Sequence, residues 1–135
     1  MTTMYAEPMI AGATATPPRA LRAMARLTTG ALAIAMATSG IAFLIGPPAV
    51  VEALRQLGYP NYFRVLLGSA KLLGAGAMLA SGRSTLREWA YAGFTFLLLA
   101  AIASHLLAGG AAGAAPAAFL LVLLAVSYRL RQVAP

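Results

Sequence analysis

Four stretches of this chain run for roughly a bilayer's width with almost no charge, and no other feature limits its fold so strongly. The first, Leu27 to Ile45 (LTTGALAIAMATSGIAFLI), has no ionisable residue and is close to the ~20 apolar residues a membrane-crossing helix needs. The second runs from about Tyr62 to Ala80, the third from Arg87 to about Leu107, and the fourth is opened by Pro116 and reaches Tyr128. The fourth is short for a crossing even if it begins at Ala114. The 135 residues are 61% hydrophobic and only 10% charged. Soluble domains carry about 25% charged residues, and a chain this small cannot bury so much apolar surface in its own interior. Lipid must cover the rest. A cleaved signal peptide is the competing reading of the first run, but the apolar stretch continues past the small-residue site at Ala35-Met36-Ala37.

The basic residues set an orientation. Arg19, Arg22, Arg26, Arg83, Arg87, Arg129 and Arg131 fall on one side of a four-span arrangement, and Arg55 and Arg64 on the other. The positive-inside rule then places both termini in the cytoplasm. The net charge is +7, yet the cations sit at the ends of apolar runs instead of forming one patch with interleaved aromatics. Nucleic acid is therefore not an expected partner. With no cysteine, thiolate nucleophiles and thiolate metal sites are excluded. With no Asp, a Ser-His-Asp grouping is excluded too.

The expected fold is all-α: a four-helix transmembrane bundle with a short interfacial helix between the first and second spans. That short helix is read over Ala49 to Leu57. Val50, Val51, Leu54 and Leu57 share one side, prolines precede it, and Gly58 follows as a C-terminal cap. Residues 1–23 read as a disordered tail, 24–131 as the membrane domain and 132–135 as a second tail. Ala108 to Ala115, only Gly and Ala apart from the bounds of the spans, reads as a loop. Rows of small residues (Ala31, Ala35 and Ser39; Ala33 and Ala37; Gly68, Ala75 and their neighbours; Ala100, Ser104 and Ala108) suit close helix packing. Arg64, Gly68, Lys71, Ala75 and Met78 form one stripe of the second span. Trp89, Tyr91 and Tyr128 read as interface anchors, and Glu88 as a charge that complements its helix dipole.

Lys71 is the most informative polar residue. An ammonium at mid-bilayer costs about 2.5–3.5 kcal/mol on insertion scales, so it should face protein. It is a candidate contact for an anion, a quinone headgroup or a proton. The structural alternatives are a water-filled crevice, a backbone carbonyl or pairing with Glu52. His105, Arg64, Tyr62 and Glu52 are expected at the same outer level, where with Lys71 they would line one outward-facing pocket. One His and one Glu are too few ligands for a metal site.

GYP-x-YF at Gly58–Phe63, EWAYAGF at Glu88–Phe94, and the closing LLAVSYRLR together resemble the DoxX-like membrane proteins, over Leu27 to Arg131. The resemblance implies a four-helix bacterial membrane protein. Its named relatives include a small subunit of a thiosulfate:quinone oxidoreductase. The matching positions are Tyr59, Pro60, Tyr62, Phe63, Gly68, Lys71, Glu88, Trp89, Tyr91, Gly93 and His105. Relatives tend to carry Gly-Asp after the Ser-His pair, whereas here Gly109 is followed by Gly110. The expected function is a membrane component that binds a partner or a lipid-soluble ligand without independent catalysis. The runner-up is a membrane subunit of a quinone-linked oxidoreductase, with quinone as cofactor and a soluble redox or sulfur-handling protein as partner. A homo-oligomer is a further expected partner state. A small cation exporter is disfavoured because the first span contains no acid.

Overall fold

The computed structural model describes residues 17–80 and 84–133. Five helices follow one another: α1 (Arg19–Ile45), α2 (Pro48–Gln56), α3 (Asn61–Leu79), α4 (Ser84–Leu107) and α5 (Ala111–Val133). All but α2 are long and apolar enough to cross a membrane. Among the described residues there is no strand. Helix α1 packs on α3 and α5, and α4 packs on the same two helices, so the spans go round the bundle in the order α1, α3, α4, α5. Short connections after α3 and α4 make consecutive long helices antiparallel. One end of the bundle therefore gathers α2, the C-termini of α1 and α4, and the N-termini of α3 and α5.

The boundaries differ from the expectation in two places. Helix α1 starts at Arg19, two turns before Leu27, because Arg, Ala, Leu and Met are all good helix formers. Of the tail expected over 1–23, residues 1–16 lie outside the described residues, as do residues 81–83 and 134–135. Helix α5 starts at Ala111, so the expected Gly/Ala loop shrinks to Ala108–Gly110, with Gly109 at φ 76°. Pro116 lies inside that helix rather than opening it. At the sixth position of the helix it forgoes the hydrogen bond to the Ala112 carbonyl, and its ring crowds that carbonyl. The alanines extend α5 to 23 residues, which removes the apparent shortness of the fourth span.

Gly46 ends α1 in the left-handed conformation at φ 71°, its N–H bonded to the Ala42 carbonyl at 2.9 Å. Pro48 opens α2 where a missing N–H costs nothing. Gly58, at φ 80°, closes α2 as expected, and Tyr59 N–H returns to the Leu54 carbonyl at 2.9 Å.

The closest helix contact is between α1 and α3 at Gly40 and Gly68. A Cβ on Gly68 would lie 2.9 Å from the Gly40 carbonyl oxygen, and one on Gly40 would lie 3.0 Å from that of Gly68. Small residues permit such an approach, and in lipid this packing is what holds helices together. The buried seam of α1 is Ala25, Thr29, Leu32, Ala33, Met36 and Gly40. The row Ala31–Ala35–Ser39 is not that seam, since Ala31 faces outward. Ala100 and Ala108 of α4 are likewise exposed. The α3 stripe through Gly68, Lys71, Ala75 and Met78 is buried, as its spacing predicts. Leu32, Met36, Met78, Phe94, Leu98 and Leu124 fill the centre.

Toward the arginine-rich end the core is polar. Thr29 Oγ1 and Tyr91 OH lie 2.9 and 2.8 Å from Ser127 Oγ, and 3.3 Å from each other. Thr29 also donates to the Ala25 carbonyl at 2.8 Å. Tyr91 is thus a core residue, 4% exposed, and not an interface anchor. Trp89, at 76% exposed, does face outward. The two are separated by about 200° of helix turn, so they cannot share a face.

Candidate functional site

A cavity of about 390 Å³ lies between the helices at the α2 end. Its walls come from every helix: Met36, Ser39 and Phe43 of α1, Lys71 of α3, Leu97, Leu98, Ala101 and His105 of α4, and Gly113, Pro116, Ala117 and Leu120 of α5. Ala49, Val50, Ala53, Leu54 and the following Leu57 complete it on the α2 side. The apolar face of the short amphipathic helix is therefore turned to the cavity, with Leu54 only 6% exposed. The volume falls within the ~300–1,000 Å³ of small-molecule pockets.

Lys71 is 8% exposed. Its Nζ donates to Ser39 Oγ at 2.8 Å and sits 3.8 Å from the centroid of the Phe43 ring. Ser39, Gly40 and Phe43 fall on one side of α1 at helical spacing, beside the close approach of Gly40 to Gly68. The geometry that joins the two helices thus also fixes the ammonium.

His105 lines the same cavity near the end of α4, half-buried. Its ring packs against α5 at Gly113, where a Cβ would sit 2.7 Å from Cε1 and collide with Nδ1. Only glycine leaves room for the imidazole. The Gly110 N–H donates to the His105 carbonyl at 2.9 Å and turns the chain into α5. One residue earlier, Ser104 Oγ pairs with Tyr59 OH at 2.7 Å, and Tyr59 stacks on Phe63 with centroids 4.7 Å apart. These contacts tie the α2–α3 joint to α4.

Of the five residues expected to share a pocket, Lys71 and His105 line the cavity and the others do not. Tyr62 is 70% exposed. It precedes Lys71 by nine positions, which puts it about 180° away round the helix. Arg64 shares the Lys71 side but caps α1: its Nη1 donates to the Phe43 and Leu44 carbonyls, and its Nε to Asn61 Oδ1 at 3.3 Å. Gly46 lies under that guanidinium. Glu52 points away from the cavity, on the polar face of α2. It accepts from Arg55 Nε at 2.8 Å and Nη2 at 2.7 Å, and from Gln56 at 3.1 Å. The Arg55 hydrogen bonds, then that of Gln56, hold its carboxyl at about 2, below the ordinary 4.5. The pairing of Lys71 with Glu52 does not form, because Arg55 one turn away on the same helix takes both carboxylate oxygens.

A family model matches residues 27–127, from the third turn of α1 to within two turns of the end of α5. The chain belongs to the DoxX-like family. No curated protein and no solved structure matches it. Within this DoxX-like bundle, the GYP-x-YF motif is the joint between α2 and α3, and EWAYAGF carries Tyr91 into the polar core. Among the described residues, no three His, Cys, Asp or Glu side chains gather in a metal-binding group.

Sequence reasoning missed Phe43, Thr29 and Ser127, and gave Ser39 only a packing role. No local pattern marks them, since their partners lie 28 to 98 positions away. For Tyr91 a signal was present, because Trp89 and Tyr91 are too far apart round the helix for both to meet lipid.

Proposed function

We propose that this protein is a membrane-embedded binding component that takes a lipid-soluble ligand into the α2-end cavity and performs no catalysis of its own. One observation carries the reading: a buried ammonium, held by Ser39 and Phe43, lines a cavity that is otherwise almost wholly apolar. A lysine has three N–H donors, and Ser39 uses one. The remaining donors suit an acceptor oxygen on a ligand head, while Val50, Leu54, Leu98 and Leu120 suit an apolar body. Helix α2 roofs the site between two left-handed glycines, Gly46 and Gly58. The cation distribution supports an inner-membrane orientation with both termini cytoplasmic and the cavity toward the outer face.

The test is to purify the protein in native-lipid discs and extract co-purifying small molecules for mass spectrometry. A bound lipid-soluble species present with the wild type and lost with Lys71→Leu is the expected result. An identical extract from both proteins would refute the reading. Fusion of a cytoplasm-dependent reporter to the C-terminus tests the orientation.

A second reading is a subunit of a quinone-linked oxidoreductase, favoured by Lys71 and His105 lining one cavity as donors for the two carbonyls of a quinone. The electrons would come from a partner protein, a soluble redox or sulfur-handling enzyme. Quinone in the extract, together with capture of such a partner, would favour this reading.

A further inference from the structure

We infer that the cavity selects a lipid-soluble acid, a carboxylate or phenolate with an apolar body, over neutral ligands of the same shape; this rests on the binding role proposed above. The argument is one of charge balance. Lys71 is more than nine-tenths buried and its polar partner is a neutral hydroxyl. Among the described residues there are two carboxylates, and neither reaches it. Glu52 is engaged by Arg55 and Gln56 on the outer face of α2. Glu88 sits in the first turns of α4, beside a groove between α4 and α5 that is lined by Tyr91, Thr95 and Tyr128. The Phe43 ring offsets part of the charge through its quadrupole but accepts no hydrogen bond in the ordinary sense. Among the described residues the ammonium has no counter-ion, and it faces a small-molecule cavity. An anionic oxygen adds to the hydrogen bond a direct attraction between opposite charges that a neutral carbonyl or hydroxyl lacks, and this attraction is strong where water is excluded.

The depth of the site argues for a free acid over a phospholipid headgroup. Lys71 stands ten residues beyond Asn61, about 15 Å along the helix axis and so near the middle of a ~30 Å hydrocarbon layer. A headgroup would have to leave the interface to reach it, whereas an acid on one chain or ring carries its charge there with its body in the cavity.

The experiment is calorimetric titration at pH 8 of decanoate and decanol, matched in chain and differing in charge. The protein sits in phosphatidylcholine discs, and empty discs supply the partition background. Decanoate is expected to bind about tenfold more tightly than decanol, because the carboxylate adds a charge–charge attraction to the hydrogen bond that both ligands can accept. Lys71→Met should abolish the preference, so that decanoate binds no more tightly than decanol. Lys71→Gln, which keeps a polar chain without the charge, should do the same and serves if the methionine variant does not fold. Decanol binding as tightly as decanoate would overturn the acid preference while leaving the binding role standing. Neither ligand binding above the empty-disc background would overturn both. If phosphatidylglycerol in the discs abolishes decanoate binding, the ammonium belongs to a headgroup and the inference fails.

Discussion

Gly68→Ala should loosen the bundle, and Gly76→Ala on the same helix should not. A Cβ at Gly68 would lie 2.9 Å from the Gly40 carbonyl oxygen and 2.9 Å from Leu44 Cγ. The first obstacle is backbone, so no rotamer change relieves it and α1 must move away from α3. Overpacking of this kind costs about 1–3 kcal/mol. At Gly76 nothing lies within 4 Å of the added atom. Both substitutions gain the ~0.5–1 kcal/mol that alanine holds over glycine in a helix, so that term cancels between them. Unfolding in mixed detergent micelles, followed by circular dichroism, should therefore separate the two variants by about 1–3 kcal/mol, with Gly68→Ala the weaker. The same displacement moves Ser39 and Phe43 away from Lys71, so Gly68→Ala should also weaken ligand binding. Equal stability of the two variants would show that α1 and α3 are not joined at this glycine pair.

Three further outcomes follow from the contacts. Ser127→Ala leaves Thr29 and Tyr91 within 3.3 Å of each other; it should cost only about 0.6 kcal/mol in micelle unfolding, the average worth of a hydrogen bond between membrane helices. Arg64→Ala frees the Phe43 and Leu44 carbonyls at the end of α1 and should cost about 1.5–3 kcal/mol, with Arg64→Lys recovering part of it. Carboxyl carbon NMR should place the Glu52 midpoint at about 2, and Arg55→Ala should raise it toward the ordinary 4.5. Because the folded value is the lower one, this interaction stabilises α2 fully above pH 4.5 and is lost as pH falls toward 2. Amide exchange in α2 should therefore be independent of this group above about pH 5.

The number and order of the helices were legible because lipid makes the rule simple: a segment must be long, apolar and internally hydrogen-bonded. Helix ends were less so, since alanine and glycine at 108–115 suit a loop or a helix equally, and the choice is made by Gly113 packing under His105. In the site, Lys71 stood out because charge is rare in such a segment. Its surroundings did not, since they come from the other spans and from α2. Of the three expected members that do not line the cavity, Tyr62 and Glu52 occupy the wrong side of their helices, and Arg64 is taken up by the carbonyls at the end of α1. For Tyr62 and Glu52, distance along the axis was readable; rotation about it was underused.

Lys71 itself should contribute almost nothing to stability, and this separates a functional residue from a structural one. Placing an ammonium at mid-bilayer costs about 2.5–3.5 kcal/mol. Against this stand a desolvated contact with the Phe43 ring, about 2 kcal/mol, and the Ser39 hydrogen bond, about 0.6 kcal/mol. The sum comes within about 1 kcal/mol of zero. Lys71→Met, similar in length and apolar, should accordingly unfold within about 1 kcal/mol of the wild type while losing its preference for anionic ligands. A loss of several kcal/mol instead would mean that the ammonium is a structural clamp between α1 and α3, with the cavity beside it incidental. A change within about 1 kcal/mol would fit the proposed ligand-binding role, since the contacts that hold the lysine in place would then only offset the cost of putting it there.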